Sequence, residues 1–303
     1  MMATEVEVFN TSVPLQMARS QGSELGRSPN DAVASLNYYD DPGDGSLPEP
    51  VFVEVNTVTN KRAVVPTTVT VRDMTGQEDK FVLDRNGFQL CRHMDDSECQ
   101  KEGYSDEEKI PVEYYPRMEQ LLKDVTGASR VFIFDNKTRH GPSNWHSLGP
   151  GNQAKRGPIF RTHIDQSYAG AESLLKWLLP EEADELLKKR WQIINAWRPI
   201  KTIYKDPLAV ADATTVSDED LVPARIIYPD HERESWTVKR SAGHEWYFKY
   251  AQQPDEVLLI KCFDSVADGK VARRAPHSAF QDPRHVEDAL RESIEIRTMV
   301  FYG

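Results

Sequence analysis

VFVEVNTV at 51–58, RAVVPTTVTVRD at 62–73 and KFVLDRNGFQL at 80–90 decide the class of fold. Apolar and polar residues alternate through these runs, and Val and Thr are frequent. A period of two with β-branched side chains is the pattern of half-buried strands. Thr75-Gly76 and Asn86-Gly87 supply the turns between them. Strand-like runs recur to the end: SRVFIFD (129–135), IFRTHID (159–165), WQIINAWRPI (191–200), ARIIYPD (224–230), SWTVKR (235–240), EWYFKY (245–250), EVLLIKCFD (256–264) and ESIEIRTMVFY (292–302). Helical patterns are few. PVEYYPRMEQLLKDVTG (111–127) ends at Gly127, SYAGAESLLKWLLP covers 167–180, and PEEADELLKKR (180–190) starts with Pro180. Strands and helices do not alternate regularly, and there is no GxGxxG, P-loop or GxSxG motif, which argues against nucleotide-binding and hydrolase α/β folds. Many strands with a few helices predict a mainly β (α+β) fold, a double-stranded β-helix or cupin-like jelly roll.

Around these runs lie two polar stretches. Residues 1–48 are loop-like and run into DDPGDGSLPEP (40–50), so a partly irregular N-terminal arm is expected there and a jelly-roll domain over 49–303. NKTRHGPSNWHSLGPGNQAKRGP (136–158) is a long polar loop, and loops of that length in a compact domain tend to be functional.

The chain has 303 residues, with Lys+Arg 37 and Asp+Glu 48, a formal charge of −11. Without a basic run, so acidic a chain repels phosphate backbones, and no nucleic-acid partner is expected. No stretch reaches the roughly 20 apolar residues of a membrane helix, and MMATEVEVFN lacks a secretory pattern. The expectation is a cytoplasmic protein without a membrane partner. Cys91, Cys99 and Cys262 form no CxxC, so a zinc finger is excluded and buried reduced thiols are expected. The sequons at Asn10 and Asn136 carry no weight without a secretory route.

The chemistry starts at His163-Ile164-Asp165. In a strand, residues two apart share a face, so imidazole and carboxylate can reach one metal ion. A second histidine from a distant strand completes the facial triad of non-haem Fe(II) oxygenases. HxD alone is weak, since about one match arises by chance in such a chain. The context strengthens it. His277 lies far downstream in RRAPHSAF, and Arg291 and Ser293 follow on a shared strand face. A guanidinium fork plus a hydroxyl suits the distal carboxylate of 2-oxoglutarate. The other histidines (His93, His140, His146, His231, His244 and His285) are expected outside the metal site, most of them in solvated loops. His244-Glu245 opens no HExxH, so it is not a zincin motif.

With these residues in place, the chain resembles the fungal AsaB-type hydroxylase/desaturase family. The matching segments are LNYYDDPGDG (36–45), LDRNGFQL (83–90), HIDQS (163–167), NAWRPI (195–200), CFDSVADGKVARRAPHSAFQDP (262–283) and RESIEIRTMVFY (291–302). The resemblance implies a jelly roll, Fe(II), 2-oxoglutarate as co-substrate and molecular oxygen. It implies hydroxylation, desaturation or a related oxidation of a small natural product in fungal secondary metabolism. His163, Asp165 and His277 fall on its metal positions; Arg139-His140 stands where relatives carry further basic residues.

Several residues keep two readings. In NAWRPI, Asn195 and Trp197 share one face and Arg198 takes the other. Trp197 is core or substrate wall, and Arg198 either pairs with a surface acid or reaches into the barrel to bind 2-oxoglutarate or substrate. Arg297 shares a face with Arg291 and is the alternative carboxylate clamp. Gln166 and Ser167 can brace the metal ligands. Tyr168, Trp197, Asn195, Phe160 and Trp145 are candidates for contacts with an apolar metabolite substrate. Two rival functions stand beside the oxygenase: a non-catalytic ligand-binding or partner subunit, and a cupin-like metal hydrolase or isomerase. A homodimer and a heterodimer both stay open.

Overall fold

The structure is a computed structural model that describes residues 6–8, 28–93 and 108–303. The expectations for Cys99, the His93 side chain, the Asn10 sequon and most of the first 27 residues lie outside them. In chain order the strands are β1 (Val6–Val8), β2 (Ala32–Tyr39), β3 (Val51–Val53), β4 (Val58–Thr59), β5 (Val64–Asp73), β6 (Phe88–His93), β7 (Arg130–Arg139) and β8 (His163–Ile164). They continue as β9 (Trp191–Pro199), β10 (Leu208–Ala211), β11 (Leu221–Ile227), β12 (Glu232–Val238), β13 (Trp246–Phe248), β14 (Glu256–Asp264), β15 (His277–Ala279) and β16 (Ser293–Phe301).

Six strands form one sheet in the order β1-β6-β14-β9-β16-β7, and ten form the other in the order β2-β5-β13-β10-β15-β8-β12-β11-β3-β4. The sheets face each other. Phe88, Leu90, Trp197, Leu258 and Ile260 of the first pack with Leu208, Val210 and Tyr247 of the second. This is the jelly roll that the alternating runs predict. On the outer face of the six-stranded sheet lies α1 (Tyr115–Thr126), capped by Gly127 at φ 70. It buries Met118, Leu121 and Leu122 against Ile194, Ala196, Leu259, Ile294 and Ile296.

Three local expectations change. Ala32–Tyr39, in the segment read as loop-like, is a strand paired with β5 along its whole length. Its inward residues are Ala32, Ala34, Leu36 and Tyr38, and two alanines give a faint period. Leu83–Asn86 is a helical turn rather than strand, ended by Gly87 at φ 79. A Cβ on Gly87 would also lie 2.9 Å from Ala275, so the close approach of the two segments needs glycine. PEEADELLKKR forms only the short helix Ala183–Leu186. The preceding helix, α2 (Tyr168–Leu178), forms as expected, with Ser167 accepting a hydrogen bond from the Gly170 N–H at 2.8 Å. Among the described residues Cys91 and Cys262 are buried free thiols, and no helix is long and apolar enough to cross a membrane.

Candidate active site

Strand register brings the two metal-type histidines together. His163 on β8 lies directly opposite His277 on β15, and their ring centroids are 4.5 Å apart. Asp165 follows one residue past the end of β8, so its carboxylate returns to the same face. The three ligand atoms lie within 4.8 Å of one another. Each imidazole is turned by the backbone of its own strand. His163 Nδ1–H donates to the Arg161 carbonyl at 2.7 Å, and His277 Nδ1–H donates to the Ala275 carbonyl at 3.2 Å. A carbonyl only accepts, so Nδ1 carries the hydrogen in both rings, and in the neutral form of either ring Nε2 is the lone-pair nitrogen that a metal needs. Burial, with His163 beside it, pushes the His277 pKa down to about 4, which keeps that ring neutral.

Asp165 spans the gap between the sheets. Its Oδ1 lies 3.5 Å from His163 Nε2. Its Oδ2 accepts from Asn195 Nδ2 at 2.6 Å and lies 3.2 Å from Arg297 Nη2. Asn195 and Arg297 are register partners on β9 and β16. Burial alone would raise the Asp165 pKa, but Arg297 and the two histidines hold it well below the ordinary carboxylate range. One oxygen is thereby fixed by the protein, and the other is left toward the histidines.

A cavity of about 150 Å³ opens at this cluster. His163, Asp165 and Arg297 are among its lining residues. Val51, Val53, Val58, Ile159, Ile226 and Trp145 line it with apolar surface, and Arg62, Lys137, Arg139, Arg156 and Arg161 bring cations to it. The long loop after β7 supplies part of this wall and is tied down. Trp145 Nε1–H donates to the Pro158 carbonyl at 3.0 Å, and Asn152 exchanges hydrogen bonds with the backbone of Val58 at 2.8 and 2.9 Å. Gly141 and Gly157 pass so closely that a Cβ at Gly157 would lie 2.2 Å from the Pro142 carbonyl oxygen.

The remaining candidates separate by face. Arg291 and Ser293 share the inward face of β16 and its approach, and both are buried. Arg291 Nη1 donates to the Asp206 carbonyl at 2.9 Å, and its guanidinium lies 5.5 Å from the centre of the Trp197 ring. Arg291 Nε and Ser293 Oγ have no hydrogen-bond partner. Burial and nearby Arg139 push the Arg291 pKa down to about 9. Two buried donors side by side without an acceptor fit a carboxylate ligand.

Arg198 lies on the other face of β9, over the Tyr114 ring, and donates to the Pro254 carbonyl. The reading of Arg198 as a ligand-binding group inside the barrel is corrected by that place. Arg297 spends its charge on Asp165 and on Glu295, at 2.7 Å, which does not suit a free clamp. Asn195 holds Asp165 rather than facing the cavity, and Trp197 packs in the core under Arg291. Tyr168 starts α2, donates to Asp218 at 2.9 Å and carries the Arg273 guanidinium 3.7 Å above its ring, away from the cavity. The substrate contacts expected of Asn195, Trp197 and Tyr168 do not fit these positions. Ser167 caps α2 and bonds Glu234, and so braces the strand end rather than a metal ligand. Phe160 lines a hollow beside the cavity.

Sequence reasoning passed over Arg161, and for His146 it preferred a solvated loop position to the pocket wall that the residue in fact lines. Arg161 follows from parity, since Ile159, Arg161, His163 and Asp165 alternate onto one face. The His146 ring is tilted by 33° to that of Trp145, with centroids 3.7 Å apart. Burial and the nearby Arg161 and Arg139 push its pKa down to about 4. His140 is exposed, as expected.

Comparison with known proteins agrees with this architecture. Residues 36–301 match the family model of the oxidoreductase/YMDC permease-like domain. Hydroxylase/desaturase efuI of Hormonema carpetanum is 36% identical over 288 residues, which cover 88% of this chain and 94% of that protein. Alpha-ketoglutarate-dependent dioxygenase phiK, from a fungal species, is 34% identical over 89% of this chain and 95% of its own length. The solved structure of the iron and alpha-ketoglutarate-dependent endoperoxidase NvfI superposes with a TM-score of 0.75 at 27% identity, over 91% of this chain and all of that one. The chain therefore belongs to this family of oxidoreductases, together with the fungal hydroxylase/desaturases.

Proposed function

We propose that this protein is an Fe(II)/2-oxoglutarate-dependent dioxygenase that hydroxylates, desaturates or otherwise oxidises a small natural product in fungal secondary metabolism. The observation that carries the reading is the metal-type cluster. His163 and His277 offer Nε2 and Asp165 offers Oδ1 within 4.8 Å, with every opposite atom already engaged by the protein. That donor set, two imidazoles and one carboxylate, suits ferrous iron with open positions.

The chain's own groups then divide the work. Asn195 and Arg297 hold Oδ2 of Asp165, so the carboxylate meets the metal through one oxygen. Arg291 and Ser293 would hold the distal carboxylate of 2-oxoglutarate, which supplies the acceptors that Arg291 Nε and Ser293 Oγ lack. Trp197 under the guanidinium fixes its plane. The apolar wall from β3, β4 and β11 keeps water from the reacting face of a bound metabolite. When bound, iron and 2-oxoglutarate supply oxygen activation strong enough to remove hydrogen from an unactivated C–H, with succinate and carbon dioxide as by-products.

Anaerobic addition of Fe(II) and 2-oxoglutarate tests this directly. A coloured charge-transfer complex is expected, lost in His163→Ala and Asp165→Ala. Undiminished succinate formation by either variant would overturn the assignment. A metal hydrolase or isomerase on the same ligands would consume no oxygen and form no succinate.

A further inference from the structure

The cavity carries more positive charge than the proposed metal and co-substrate account for. A divalent metal, Asp165 and a doubly charged 2-oxo diacid leave one negative charge, which Arg291 alone offsets. Lys137 is paired with Asp135 at 2.6 Å, and Arg297 with Asp165 and Glu295. Arg62, Arg139 and Arg161 also line the cavity, and none makes an ion pair with a carboxylate among the described residues. Their hydrogen bonds go to backbone carbonyls. Arg62 donates to Glu49 and Arg225 at 2.9 and 2.7 Å, Arg139 to Gly157 at 3.1 Å, and Arg161 to Arg62 at 2.6 Å. Buried or half-buried guanidinium groups with only neutral partners are costly, and a guanidinium has five N–H groups to satisfy. This concentration of cations lies in a chain of formal charge −11.

Arg161 is the one best placed to read a substrate. It stands two residues before His163, just ahead of β8, and lines the same cavity. Its own carbonyl accepts the His163 Nδ1–H at 2.7 Å, so its position is tied to that of the metal-type imidazole. The same cavity carries apolar surface from Val51, Val58 and Ile226.

We propose that the substrate is an amphipathic acid, whose carboxylate is seated by Arg161 with Arg139 nearby and whose apolar body lies along the valine wall, carrying a C–H to the metal position. The inference rests on the function proposed above and narrows its substrate class from an apolar metabolite to one with an anionic head.

The test uses the full chain, anaerobic and loaded with Fe(II) and 2-oxoglutarate. The probes are straight-chain carboxylates of six to twelve carbons and their methyl esters, followed by calorimetry and thermal shift. The acids should bind and the esters should not. Arg161→Gln should weaken the acids about tenfold or more and change the 2-oxoglutarate Kd less than twofold. Arg161→Lys, which keeps the charge, should recover part of the acid affinity and so separates charge reading from loop bracing. Equal binding of esters and acids overturns the proposal. So does 2-oxoglutarate binding with neither probe series, or a folded Arg161→Lys as weak as Arg161→Gln. If Arg161→Gln weakens acids and 2-oxoglutarate together, the arginine belongs to the co-substrate and the proposal also falls. Failure of the wild-type chain to bind 2-oxoglutarate at all removes the underlying function instead.

Discussion

Asn195→Ala separates a residue that serves the metal from one that serves the substrate. The substitution deletes the amide donor 2.6 Å from Asp165 Oδ2 and leaves that oxygen with Arg297 alone, at 3.2 Å. A hydrogen bond onto an ionised group is worth about 1.5–3 kcal/mol. Only part of that reaches the metal, because the freed carboxylate can rotate and still offer one oxygen. Loss of a partner that orients a metal ligand typically lowers metal affinity about 10–100-fold, or about 1.4–2.8 kcal/mol. The two ranges overlap, so the Fe(II) Kd of Asn195→Ala should rise by roughly 10–100-fold. Asn195→Asp should be worse, because a second carboxylate beside Asp165 opposes its ionisation. Anaerobic Fe(II) titration against a competing chelator measures this, with circular dichroism as the control for folding. An Fe(II) Kd within twofold of wild type, in a folded variant whose substrate KM rises, would refute the reasoning and return Asn195 to the substrate wall.

Other outcomes follow from the same geometry. Arg291→Gln should raise the 2-oxoglutarate Kd by about thirtyfold or more, the loss of about 2 kcal/mol or more expected for a buried charge pair. Fe(II) affinity should hold. If Arg297→Gln does this instead and Arg291→Gln does not, the clamp is misassigned. His244, stacked on Tyr38 and 3.1 Å from Asp220, is kept neutral by burial, which Asp220 only partly offsets. The unfolded chain takes up a proton near pH 6.5 that the folded chain refuses until lower pH, so stability should fall as pH drops below about 6.5. His146 and His277, pushed down to about 4, add to the same decline, so His244→Gln should flatten it in part in urea melts, and equal slopes would remove His244 as a contributor. Gly170→Ala would place a Cβ 2.2 Å from the Glu234 carbonyl oxygen, so the melting midpoint should fall, with overpacking costing about 1–3 kcal/mol. Helix propensity alone favours alanine by about 1 kcal/mol. A raised midpoint would therefore show that β12 gives way.

Much of the fold was legible because its strands carry large side chains at period two. Ala32–Tyr39 escaped because two of its four inward positions are alanine, too small to mark a face. The metal cluster was legible for a similar reason: HxD fixes two ligands on one face, and a remote histidine is the missing third. Parity alone did not say which face of β9 turns inward. Asn195 and Trp197 were grouped correctly against Arg198, but a polar residue at an interior position hides the direction. Only the meeting of the two sheets at Asp165 shows why asparagine stands there.

Charge was the least legible property. A net charge is a sum over the whole chain, and a basic patch read from sequence must be a run. Arg62 precedes β5, Arg139 ends β7 and Arg161 precedes β8, so no window contains all three. Folding gathers them around one cavity, where Asp165 is the one acidic side chain among the lining residues. A pocket's polarity is set by which side chains converge, and convergence depends on register between strands far apart in the chain. An acidic composition therefore disfavours a polyanionic partner on the outer surface and says nothing about an acid small enough to enter the barrel. Asp165 sharpens the point, for it faces the cavity and yet is already engaged by Asn195 and Arg297. Among the described residues Arg161 meets only backbone carbonyls, so in the proposal above its balancing charge is the substrate's own.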